Sequence, residues 1–227
     1  MELCESFTSI YDKAKSVGNA QRFINKWVID EHETDASMTH LEVIGNGVFL
    51  GFDHDLVKGV KDSTIRLSSY LQDKDCDGIA FLTDANQQEH LVFAELKSNF
   101  DAQKIAKAFH QIIMSFIKMH TWLSLCKYYD LKNLKVHFIA ACKCFKDNDQ
   151  ETGILHRISE LQQIGEDSFE TKFLKPLLKG HKIQVRLSSF RDIQNLPIHD
   201  NIYNKEITMY LQLTKDYNDS QTTITIS

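Results

Sequence analysis

Two apolar runs of strand length, Ile79-Ala80-Phe81-Leu82 and Leu91-Val92-Phe93-Ala94, bracket the polar turn Asp84-Ala85-Asn86-Gln87-Gln88. A short polar connection between two such runs predicts a β-hairpin. A stretch from about 101 to 128 follows, in which Ile105, Phe109, Ile112, Phe116 and Met119 step by three and four. That spacing predicts a long helix with one apolar face. Val136-His137-Phe138-Ile139-Ala140-Ala141 then predicts a strand buried on both faces. Strand, strand, helix, strand in that order predicts an α/β protein with a mixed sheet flanked by helices.

The flanks extend this frame. Residues 3 to 17 and 20 to 33 read as helices separated by Gly18-Asn19, the first with Ile10, Ala14 and Val17 on one face. Phe23, Ile24, Trp27 and Val28 give the second an apolar stripe at helical spacing. Residues 40 to 52 turn strand-like, and Gly45-Asn46-Gly47 predicts a tight hairpin turn, with Val48-Phe49-Leu50 starting the return strand. Residues 53 to 75 are polar and mixed, with a short strand at Ile65 to Leu71. Beyond 146, Ile154 to Ile164 and Ser168 to Lys175 read as helices, the second ended or kinked by Pro176. Ile183 to Leu187, Ile207 to Leu213 and Thr222 to Ile226 alternate like strands. The expected division is a core at 1–146 and an α+β extension at 147–227 packed on it. That extension either enlarges the sheet, recognises a substrate or holds a partner.

At 227 residues the chain can bury a sizeable core without staples. Only 2 prolines and 9 glycines argue against linkers and low-complexity segments. The N-terminus is acidic and lacks the apolar run of a secretory signal, and no apolar stretch approaches the roughly 18 residues of a membrane span. These features predict a cytoplasmic protein with no membrane partner. Five cysteines at irregular spacing, Cys4, Cys76, Cys126, Cys142 and Cys144, read as free thiols.

Three residues carry chemistry. Asp77 opens the first apolar run, and Glu95 and Lys97 close the second. Side chains alternate along a strand, so Glu95 and Lys97 share a face, and hairpin pairing would bring Asp77 to them. Two carboxylates and an ammonium at one spot can hold a divalent metal and a water, which suits phosphodiester cleavage. The competing reading is a Glu-Lys pair on a solvated sheet face. The apolar run before Glu95 argues against it, because a charge on a buried strand needs a partner or a metal. Asp75, two residues before Asp77, is a rival first ligand.

Asp77 and Glu95-Leu96-Lys97 resemble the signature of the PD-(D/E)xK nuclease superfamily, whose fold is restriction-endonuclease-like. Cys76 stands where that signature often has Pro. The resemblance covers roughly residues 1 to 142 as an order of elements and is residue-specific over about 77 to 111. It implies magnesium, or manganese in its place, held by Asp77, Glu95 and the backbone carbonyl of Leu96. It implies that Lys97 orients or helps deprotonate the attacking water. It implies Gln111 as a supporting residue on the following helix, with Lys107 and Gln103 one and two turns earlier. An additional acid from the first helix occurs in some members, for which Glu5, Glu31, Glu33 and Glu42 are candidates. The implied function is a metal-dependent endonuclease, with DNA favoured over RNA, in a prokaryotic defence or mobile-element setting. A homodimer or a partner protein is compatible with that function. The alternative is a catalytically silent module of the same fold that binds nucleic acid or a protein.

Charge is unevenly spread. Residues 101 to 146 hold eight lysines against Asp101 and Asp130, a net +6, within an overall charge of −5. Lys104 and Lys107 lead this segment, which reads either as a phosphate-tracking surface or as solvated helix and loop lysines. The ten histidines show no metal-binding spacing, and His110 and His137 read as structural. Trp27 and Trp122 read as core. No Gly-rich phosphate loop and no Gly-x-Ser-x-Gly elbow is present, so ATP hydrolysis and serine-esterase chemistry are unsupported.

Overall fold

In a computed structural model of the chain, the two apolar runs form neighbouring strands at the centre of one mixed sheet. The structure describes residues 2–13, 21–31, 35–52, 75–194, 196 and 198–226. The expected strand at Ile65 to Leu71 lies outside the described residues. In chain order the principal elements are α1 (Glu2–Lys13), β1 (Gln21–Asp30), β2 (His40–Phe52), β3 (Gly78–Asp84), β4 (Glu89–Lys97), α2 (Ala102–Leu123) and β5 (Lys135–Cys142). Then come α3 (Asn148–Gln163), α4 (Lys175–Gly180), β6 (Lys182–Arg186), α5 (Arg191–Gln194), α6 (Asp200–Tyr203), β7 (Glu206–Leu213) and β8 (Gln221–Thr225).

The sheet order is β1-β2-β3-β4-β5-β7-β6, with β8 on β2. The β3–β4 pair is an antiparallel hairpin, and β4 then pairs β5 in parallel. Parallel neighbours need a crossover, and α2 supplies it. Asp101 caps α2 by accepting a hydrogen bond from the Lys104 amide at 2.9 Å, a contact that typically stabilises a helix by about 1 kcal/mol. Alternation divides β4 between two cores. Leu91 and Phe93 face Ile105, Phe109, Ile112 and Phe116 of α2. Val92, Ala94 and Leu96 face Trp27, Leu41 and Val43. The C-terminal strands belong to the same sheet: β7 pairs β5 in parallel, β6 pairs β7 antiparallel, and β8 pairs β2 in parallel.

Two expectations fail near the N-terminus. Residues 21 to 30 form β1, not a helix. Period two wins over the helical stripe: Trp27 and Ile29 are buried, while Ile24 is 72% exposed. The β-branched Ile24, Val28 and Ile29 also favour a strand. Trp27 stays in the core from this strand, seated on two glycines. A Cβ at Gly51 would lie 2.4 Å from its Nε1, and one at Gly78 would lie 2.8 Å from its Cζ2.

Gly45-Asn46-Gly47 is not a hairpin turn, since β2 runs through it without reversing. Ile24 pairs Val48 and Lys26 pairs Ile44, so three β2 residues oppose the single residue Asn25. Asn25 takes a left-handed φ of 61° and accepts a hydrogen bond from the Gly47 amide at 3.2 Å. The irregularity lets β2 change partners, from β8 along His40–Ile44 to β3 along Gly47–Phe52. Bulges bend strands in this way. Further on, the expected helix ending at Pro176 is a π-helical turn at Glu170–Leu174 running into α4, with Pro176 in the first turn of α4. Proline is tolerated there because first-turn amides need no intrahelical acceptor.

Among the described residues, no helix is long and apolar enough to cross a membrane. Cys76, Cys126, Cys142 and Cys144 are free thiols.

Candidate active site

The register of the β3–β4 hairpin sets the site. Gly78 pairs Ala94, which brings Asp77 level with Glu95 just outside the ladder. The Leu96 amide donates to Asp77 Oδ2 at 2.6 Å, tying the two strands at the acids themselves. Glu95 and Lys97 lie on the α2 face of β4, and Lys97 Nζ donates to Glu95 Oε1. The same ammonium donates to Gln111 Oε1 at 3.1 Å, and Gln111 Nε2 donates to the Asp75 carbonyl at 3.1 Å. The sequence-derived residues Asp77, Glu95, Leu96, Lys97 and Gln111 are therefore one connected group.

Glu95 is the electrostatic centre. It is 1% exposed, and its Oε2 is buried with no hydrogen-bond partner among the described residues. Burial first and the nearby Asp77 charge second push its carboxyl up to about 8, against the opposing pull of Lys97 and of the Asp77 backbone amide. A buried carboxylate oxygen without a partner is unfavourable unless it takes a proton or a cation. The donor set suits magnesium, which prefers oxygen ligands, commonly takes one or two protein carboxylates and keeps several waters. Asp77 and Glu95 supply those carboxylates, and the Leu96 carbonyl is the third oxygen implied by the resemblance. Among the described residues no group of three or more His, Cys, Asp or Glu side chains gathers to hold a metal. Cys76 is fully buried, and burial pushes its thiol well above the ordinary range. It stays protonated beside the acids and is a poor ligand.

The remaining candidates fall elsewhere. Asp75 Oδ1 pairs with Lys118 Nζ at 2.5 Å, each side chain 9% exposed, so this acid is engaged by α2. Glu42 pairs with Lys26 at 3.3 Å on β2. Glu5 is exposed on α1, Glu31 follows β1, and Glu33 lies outside the described residues. Lys104 and Lys107 are exposed on the first turns of α2, on the outer continuation of the Gln111 face. The site lies at the carboxyl ends of the parallel strands: Lys97 pairs Cys142 of β5, which pairs Leu213 of β7. Ligands of α/β sheets characteristically bind at that edge.

Sequence reasoning passed over Ser115 and counted Lys118 only within the basic segment. Their signal was present: Gln111, Ser115 and Lys118 recur at i, i+4 and i+7, a polar stripe on a helix buried there on its other sides. Comparison with protein families, with curated proteins and with solved structures finds no match.

Proposed function

We propose that the chain is a metal-dependent nuclease with a restriction-endonuclease-like core. The observation that carries this reading is the convergence of Asp77 and Lys97 on Glu95, whose buried Oε2 lacks a hydrogen-bond partner among the described residues. The element order supports it. Among the described residues a helix, four strands, a helix and a strand follow in order, one strand more than the α-β-β-β-α-β core of the superfamily the motif resembles.

On this reading Asp77, Glu95 and the Leu96 carbonyl hold magnesium or manganese. When bound, such an ion lowers the pKa of a water and offsets charge on phosphoryl oxygens. Lys97, anchored between Glu95 and Gln111, presents N–H donors that orient the attacking water and meet charge developing on the phosphate. Lys104 and Lys107 attract the flanking phosphates. DNA is the favoured polymer and prokaryotic defence the favoured setting, both on the strength of the resemblance.

The test is cleavage of plasmid DNA, single-stranded DNA and RNA with magnesium or manganese, comparing wild type with Glu95→Ala and Lys97→Ala. The expected result is metal-dependent cutting that both substitutions abolish. Wild-type protein that binds nucleic acid but cuts no substrate under any of these conditions would favour the catalytically silent module.

A further inference from the structure

One face of α2 grips the chain that leads into β3, and three separate contacts do so. Gln111 Nε2 donates to the Asp75 carbonyl at 3.1 Å. Ser115 Oγ accepts from the Cys76 amide at 2.9 Å. Lys118 Nζ pairs with Asp75 Oδ1 at 2.5 Å. Residues 111, 115 and 118 stack along one line of a helix, so the three contacts act in the same direction over two turns. Two consecutive residues are held this way immediately before Asp77. On the far side Trp27 packs against Gly78, the residue immediately after it.

Buried polar contacts of this kind are not needed for packing. Ser115 and Lys118 are 2% and 8% exposed in a helix whose neighbours at 112, 113, 114, 116 and 117 are all apolar. An ion pair taken out of water is often no more stable than apolar residues of the same volume, but it fixes geometry. The geometry next to it is the position of Asp77 against β4, where the Leu96 amide donates to Asp77 Oδ2.

We infer that Ser115 and Lys118, through Asp75 and Cys76, are positioning residues that hold Asp77 opposite Glu95. The inference rests on the proposed metal site for its purpose, but not for its geometry. Asp75 is thereby part of the clamp and not a rival ligand. Lys118 drops out of the basic surface that the sequence suggests.

Lys118→Met removes the charge and keeps the apolar stem; Lys118→Arg keeps the charge. Two readouts follow on folded protein. Amide exchange at Leu96 without metal reports the Asp77 contact, and manganese binding followed by electron paramagnetic resonance reports the assembled site. In Lys118→Met, Leu96 is expected to exchange at least about tenfold faster while the β4–β5 ladder amides stay protected, since local openings are read residue by residue. Manganese should bind about tenfold more weakly, and Lys118→Arg should restore both. Ser115→Ala should move both in the same direction by less. Unchanged Leu96 exchange and unchanged manganese binding in Lys118→Met, even with a lower melting temperature, would reduce the contacts to general stability and overturn the inference. Faster Leu96 exchange in a protein whose wild type binds no manganese would keep the clamp and remove the metal site.

Discussion

Both ends of β4 carry buried polar side chains, and they handle them in opposite ways. At the start of the strand His90 Nδ1 meets His137 Nε2 at 2.8 Å, His137 Nδ1 meets the Tyr210 hydroxyl at 3.2 Å, and His90 Nε2 reaches Asp84 Oδ2 at 3.4 Å. The two imidazoles stack with centroids 5.1 Å apart. All four ring nitrogens of His90 and His137 have a partner. Burial holds both histidines below their ordinary range, His137 down to about 3. At the other end Glu95 is equally buried, its carboxyl is pushed the other way, and Oε2 has no partner among the described residues. A satisfied buried network is what structure requires, because an unmet polar group is penalised. An unsatisfied one beside a second carboxylate and a lysine is what a ligand site requires. Degree of burial does not separate the two ends; satisfaction does.

The largest expected effect sharpens that contrast through activity. Lys97→Met should lower metal-dependent cleavage by about 10²- to 10³-fold, the scale associated with removing one electrostatic group from a reacting centre. His137→Phe should leave cleavage by the folded protein within a few-fold, because His137 lies on the opposite sheet face. A His137→Phe protein that folds normally but loses cleavage would break the division between the two ends. Stability should show the reverse order. His137→Phe strands one nitrogen of His90 and removes a hydrogen bond to the Tyr210 hydroxyl, and should cost about 2–4 kcal/mol in urea unfolding.

The same contrast explains what could be read in advance. The β3–β4 hairpin, α2 and β5 were legible because their apolar runs are long and periodic and nothing nearby competes. The core acids were legible because Glu95 interrupts an apolar strand. β1 was misread because Phe23, Ile24, Trp27 and Val28 satisfy helical spacing by chance, while its pairing with β2 is a non-local fact. Gly45-Asn46-Gly47 carries a true backbone irregularity, but whether it reverses or merely bends a strand depends on distant partners, Asp84 opposite Gly47 and Thr225 opposite Ile44. The histidine chain was illegible for a similar reason: His90, His137 and Tyr210 meet only once β4, β5 and β7 are adjacent.

Acid and base should act on the two ends with opposite sign. An unfolded histidine takes up its proton below about pH 6.5, whereas folded His137 does so only near 3. Across that window the unfolded chain binds more protons, so stability falls as pH falls. Glu95 has an ordinary value of 4.5 and a folded value of about 8. Between them the folded chain holds the extra proton, so stability falls as pH rises. Each slope is about 1.4 kcal/mol per pH unit. From 4.5 to 6.5 His137 and Glu95 offset each other, and the lowered His90 tips the balance toward a rise with pH. Above 6.5 Glu95 acts without that opposition. In metal-free protein the pair therefore places the most stable pH near 6.5, and Glu95→Gln should remove the decline toward 8. A wild-type profile flat between 6.5 and 8 would mean that Glu95 is ionised throughout.

The smallest effect concerns the lysines, which divide as the two ends of β4 do. Lys118 faces inward and is matched by Asp75. Lys104 and Lys107 are exposed, two turns and one turn before Gln111 on α2. Only outward-facing cations displace counterions from nucleic acid, and each contributes about 0.9 to the slope of log affinity against log salt for duplex DNA. In the presence of calcium, which takes oxygen ligands but is not expected to support cutting, Lys104→Ala/Lys107→Ala should flatten that slope by nearly two. Affinity near 0.15 M salt should fall by several-fold. Lys118→Met should leave the slope untouched even where its affinity changes, because its charge has no phosphate to meet. An equal loss of slope from Lys118→Met would mean that the ion pair opens on binding and that Lys118 turns outward. The inward group would then be a reserve for the substrate, and satisfaction in the free protein would no longer distinguish structure from site.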